Sequence, residues 1–137
     1  MSALPRHPLD YDFSLRRISV DGVEIAYVDE GPAQSTHTPV VLVHGIGATL
    51  DHWALVIPRI AETRRVVALD LPGFGMSAKP DRRYDPETFA GTIARFLSLL
   101  GVERCVLAGH SMGGAITAEL TLSDPSRIER LVLVDAA

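Results

Sequence analysis

Gly109-His110-Ser111-Met112-Gly113-Gly114 stands between the apolar run Cys105-Val106-Leu107-Ala108 and a segment of helical character. This order puts one serine at the tip of a strand-to-helix turn. A serine hydroxyl is a poor nucleophile, and a sharp turn helps it by lifting Oγ clear of the backbone toward a partner base. In such a turn the chain passes close to itself, so the positions two before and two after the serine must be almost free of side chain. Both are glycine, Gly109 and Gly113. The same letters also fit an ordinary glycine-rich loop that opens a helix over a phosphate. The flanking sequence decides between the two.

Val40-Val41-Leu42-Val43 is a continuous apolar run rich in β-branched residues, the pattern of a strand covered on both faces. It leads directly into His44-Gly45-Ile46-Gly47-Ala48. Acyl transfer develops a negative oxygen at the tetrahedral stage, and one backbone N–H fixed in advance is worth roughly 3 kcal/mol there. Gly45 and Gly47 let this loop bring its amides close to a substrate. The expected donors are the N–H of Ile46 and the N–H of Met112, the residue after the serine. His44 is expected to shape the loop through its side chain rather than to move a proton, as Gly109, Gly113 and Gly114 shape the turn opposite.

Three stretches, His44-Gly45-Ile46-Gly47, Asp70-Leu71-Pro72-Gly73-Phe74-Gly75-Met76-Ser77 and Gly109-His110-Ser111-Met112-Gly113-Gly114, follow one another in the order of the α/β-hydrolase family. From about Leu15 onward the chain resembles the N-terminal portion of those enzymes. The resemblance implies an α/β fold: a mostly parallel sheet with an N-terminal antiparallel hairpin and helices on both faces. It also implies a serine hydrolase acting through an acyl-enzyme on Ser111, on an ester or on a C–C bond next to a carbonyl. Neither cofactor nor metal is expected, and a cofactor-free perhydrolase is a neighbouring reading. Serine at 111 separates the chain from the dehalogenases and epoxide hydrolases of this fold, which carry aspartate there. The substrate stays open, because one scaffold serves many reactions.

One part of that chemistry has no counterpart. Such a serine needs an imidazole to take its proton and a carboxylate to orient the imidazole, in chain order Ser, acid, His. No histidine follows Ser111 in the sequence. Asp135, at the end of the last apolar run, is the candidate acid; the resemblance puts an acid there in some members and one strand later in more. Leu131-Val132-Leu133-Val134 is apolar on both faces, which suits an interior strand, whereas an open edge of this kind invites pairing with another chain. The expectation is therefore a truncated hydrolase fold whose lid and C-terminal part are absent, with little activity in isolation. The alternative is a non-catalytic fragment or assembly module whose last strand pairs with a complementary chain.

Composition sets limits on both readings. The 137 residues carry a net charge of −4, and arginine pairs such as Arg64-Arg65 are scattered rather than clustered, so no basic footprint for nucleic acid is present. No stretch approaches the roughly 18 apolar residues of a membrane span, and the first residues lack the apolar core of a secretory signal. A cytoplasmic protein with a small-molecule substrate and no membrane or nucleic-acid partner is expected. Residues 1–12 read as a flexible arm, and residues 13–137 as one hydrolase domain.

Local signals place the remaining elements. Strands over 15–20 and 23–29 meet at Asp21-Gly22, a hairpin signal. Apolar spacing from Trp53 to Ala61 is helical, but Pro58 should break or restart the helix. A strand follows at 66–69. Asp85, Pro86 and the stripe Phe89, Ile93, Phe96, Leu97 and Leu100 mark a helix that Gly101 ends. Another helix is expected from Ser111 to about Leu122, stopped by Asp124-Pro125.

Overall fold

The computed structural model describes residues 13–137. The arm expected over residues 1–12 lies outside the described residues. Strands β1 (Arg16–Val20) and β2 (Val23–Glu30) form the hairpin, with Val20 paired to Val23. The two turn residues, Asp21 and Gly22, have φ of 50° and 79°. That left-handed pair matches the twist of the strands it joins.

β3 (Val40–Val43), β4 (Val66–Leu69), β5 (Cys105–His110) and β6 (Ile128–Val134) complete the sheet. Its order among the described residues is β1-β2-β4-β3-β5-β6. β2 meets β4 antiparallel, and the pairs β3–β4, β3–β5 and β5–β6 are parallel. The expected mixed sheet with an antiparallel hairpin is thus present.

Side chains alternate across a strand, so each central strand divides its apolar residues between two faces. Val41, Val43, Val67, Leu69 and Leu107 face the helices α2 (Pro86–Leu99) and α3 (Met112–Ser123), which contribute Phe89, Ile93, Phe96, Ile116 and Leu120. Val40, Leu42, Val66, Ala68 and Ala108 pack on the other side with Ile57 of α1 (Ile57–Ala61) and with Leu50. Leu50 lies in a single 3-10 turn, Leu50–Trp53, so Pro58 restarts a helix as expected and a break separates the two pieces. α2 has the predicted cap: the Asp85 carboxylate accepts the Thr88 N–H at 2.8 Å, and Pro86 occupies the first turn.

The last strand differs from its expectation. It begins at Ile128, ahead of the apolar run, where Glu129 and Arg130 interrupt the apolar pattern from which a strand is read. Among the described residues it forms the open apolar edge that the sequence anticipates. Val132, Leu133 and Val134 are 44%, 51% and 40% exposed, since only β5 pairs with β6.

Candidate active site

β5 ends in the glycine-flanked turn, and Ser111 sits there with φ 54° and ψ −122°. A non-glycine residue held in such a region stores about 1–3 kcal/mol of strain. The glycines are required by contact. A Cβ on Gly109 would fall 2.2 Å from the Gly113 carbonyl oxygen, and one on Gly113 would fall 2.4 Å from that of Val43. Ser111 precedes α3, yet its hydroxyl makes no capping bond to the helix.

The loop after β3 lies against this turn. A Cβ on Gly45 would sit 2.8 Å from Ser111 Cβ and 3.4 Å from its Oγ, so only glycine permits the approach. Ile46 is the second residue of the turn that the Ala48 N–H closes on the Gly45 carbonyl at 3.2 Å, with Gly47 third at φ 68°. The Ile46 side chain is exposed. Met112 is the first residue of α3, where an N–H has no partner within the helix. The Ser111 N–H is already spent, donating to the Val134 carbonyl at 3.1 Å.

His44 and Asp70 tie the loops together. His44 is fully buried; its Nε2 accepts the Leu71 N–H at 3.0 Å, which makes Nδ1 the donor to the Gly45 carbonyl at 2.8 Å. Burial lowers its pKa, with the Gly45 bond and nearby Asp70 opposing that shift, so the ring is neutral and both nitrogens are occupied. Phe74 meets the ring edge-on at 5.5 Å and packs into the core. Asp70, also buried, accepts the Leu50 N–H on Oδ1 and the Met76 N–H on Oδ2, each at 2.8 Å. Sequence reasoning overlooked Ser77. Its hydroxyl donates to the Asp70 carbonyl and accepts the Ala26 N–H, linking the loop to β2. Its place in the quoted stretch was the only available signal.

Two other imidazoles, those of His52 and His110, lie to one side. His52, Trp53, His110 and Val134 line a hollow of about 170 Å³, with the Trp53 and His110 rings 6.5 Å apart. Asp135 follows β6 in a left-handed conformation, φ 42°, and is exposed. Among the described residues no hydrogen bond joins Ser111 Oγ or the Asp135 carboxylate to an imidazole. The structure therefore brings Ser111, Gly45 and Met112 together and pairs none of them with a base.

The alpha/beta hydrolase fold family matches residues 38–137. The chain belongs to the α/β-hydrolase family. This hydrolase-fold chain is 44% identical over 100 residues to the dihydrolipoyllysine-residue acetyltransferase component of the acetoin cleaving system of Pseudomonas putida, covering 73% of itself and 27% of that protein. It is 35% identical to 2-hydroxymuconate semialdehyde hydrolase of Pseudomonas sp. strain CF600, over 89% of itself and 43% of the relative. Among solved structures it superposes on a bacterial membrane phospholipase A with a TM-score of 0.87 and 41% identity, covering 91% of itself and 40% of that chain. The α/β-hydrolase chain thus spans less than half the length of each of these relatives. The activities for which these relatives are named differ from one another, as expected of a shared scaffold.

Proposed function

We propose that these residues carry the nucleophile and the oxyanion donors of a serine hydrolase acting on an ester, or on a C–C bond next to a carbonyl. Ser111 Oγ adds to the carbonyl carbon while its proton passes to an imidazole. The N–H groups of Ile46 and Met112 hold the resulting oxyanion. Collapse breaks the bond to the leaving group, which takes the proton from the imidazole. Water then adds to the acyl-enzyme, and its second collapse frees the acid and restores Ser111.

The strained backbone of Ser111, with an uncapped hydroxyl facing the Gly45 loop, carries this reading. His44 is unsuited as the base because both ring nitrogens are engaged. We propose Asp135 as the candidate acid and assign no histidine among the described residues as the base. The same serine geometry suits a cofactor-free perhydrolase, in which peroxide replaces water in the second step.

A fluorophosphonate probe tests the assignment. The isolated chain should label at Ser111 no faster than an ordinary serine. A fusion to the C-terminal portion of a histidine-bearing relative should label rapidly and lose all labelling with Ser111→Ala. Rapid labelling of the isolated chain would place a base among these residues. A reactive fusion that Ser111→Ala leaves unchanged would remove Ser111 from the role. The exposed apolar side chains of β6 favour one further reading, an assembly module that pairs through this strand.

A further inference from the structure

Ser111 keeps a conformation that an L-residue leaves unless its surroundings hold it there. Gly109 and Gly113 permit the turn without imposing it, because glycine is free to adopt many others. Three main-chain hydrogen bonds restrain Ser111 directly. Its N–H donates to the Val134 carbonyl at 3.1 Å, and its own carbonyl accepts the Gly114 N–H at 2.8 Å and the Ala137 N–H at 3.0 Å. Two of these three come from the tail of β6. That tail bends back through Asp135 and lies flush on the first turn of α3, where a Cβ on Gly114 would meet the Ala136 Cβ at 2.4 Å. Residues 134–137 are nonetheless exposed.

We propose that residues 134–137 are a positioning clamp for Ser111. The Val134 carbonyl and the Ala137 N–H grip the serine peptide from both sides and hold it in the left-handed region. The proposal rests on the reading of Ser111 as nucleophile and adds a positioning role to the segment that also carries Asp135, the acid proposed above. Its consequence is a coupling: the tail that sets the nucleophile belongs to the least covered strand of the described sheet. Whatever orders or displaces the tail of β6 is therefore felt at Ser111. When the tail is released, Ser111 relaxes toward ordinary backbone angles and carries Oγ and the Met112 N–H out of mutual alignment.

Nuclear magnetic resonance on the isotope-labelled 137-residue chain tests this without relying on catalysis. Ala137→Pro deletes the donor at an exposed position, while Ala137→Gly keeps it. With proline, the Ser111 Cα shift and its HN–Hα coupling should move, and its amide should exchange at least about fivefold faster, the worth of one net hydrogen bond. Amides of α2 should be unchanged in both variants, and Ala137→Gly should preserve the Ser111 signals. Gly114→Ala provides a second route by pushing Ala136 away, and adding Ala136→Gly should partly restore Ser111. Unchanged Ser111 signals in Ala137→Pro, or equal disturbance by Ala137→Gly, would overturn the clamp. A Ser111 that is clamped but unreactive in the fusion to the C-terminal portion of a histidine-bearing relative would instead overturn the nucleophile assignment.

Discussion

Val40-Val41-Leu42-Val43 and Leu131-Val132-Leu133-Val134 are almost the same tetrapeptide, and the fold treats them oppositely. In β3 every side chain is at most 9% exposed; in β6 the last three are 40–51% exposed. Both strands are paired parallel to β5. The difference lies in what surrounds them. β3 has a strand on each side, with α2 and α3 over one face and α1 over the other, whereas among the described residues β6 has β5 alone beside it. An apolar run commits a segment to a strand, but it stabilises the fold only to the extent that neighbours remove it from water.

Truncation tests that contrast most directly. Leu42→Ala should lower the free energy of unfolding by about 2–4 kcal/mol, because the emptied site lies between packed layers. Leu133→Ala should lower it by less than about 1 kcal/mol, since half of that side chain already meets water. Urea denaturation measures both, and equal losses would show that the two strands are not energetically distinct.

Asp70→Ala should come next, at about 2–3 kcal/mol, by leaving the Leu50 and Met76 N–H groups without their buried acceptor. Faster amide exchange at Met76 than in α2 would locate the damage. Uniform loss throughout the chain would mean that Asp70 supports the core rather than the loops.

A smaller effect is expected from pH. The unfolded chain protonates His44 near the ordinary histidine value, while burial resists protonation in the folded chain. Stability from this group is therefore complete above about pH 6.5 and declines as pH falls toward the lowered folded value. Asp85, held low by the Thr88 N–H, and Asp124, held low by Arg127, lose their contributions only in the acidic carboxylate range. His44→Gln should flatten the slope of stability between about pH 5 and 7. An unaltered slope would assign it to other groups.

Leu133→Lys should change stability least, within about 0.5 kcal/mol. Its effect belongs to association: a charge on an open apolar edge should reduce self-association measured by light scattering. Identical scattering before and after would show that this edge does not mediate contacts between copies.

Some features were legible because their physics is local. Asp21-Gly22 marked the hairpin, Asp85-Pro86 opened α2, and the glycines around Ser111 announced a turn too tight for side chains. The bonds of His44 to Leu71, and of Asp70 to Leu50 and Met76, join separate loops and leave little trace in any short window. Glu129 and Arg130 concealed the start of β6, because a paired strand at an open face tolerates charge that a buried one would not. The clamp from Val134 and Ala137 was equally hidden, being made of backbone groups that every residue possesses.

The order of residues by itself determined where the chain extends, coils and turns, and that a serine would stand at the junction of β5 and α3, since those outcomes depend on periodicity and on side chains a few positions apart. Only the tertiary structure decided which apolar strand is sheltered, which carboxylate anchors the loops and what grips Ser111. Those outcomes depend on distances between segments remote in the chain, and hydrogen bonding and burial act through space rather than along the backbone.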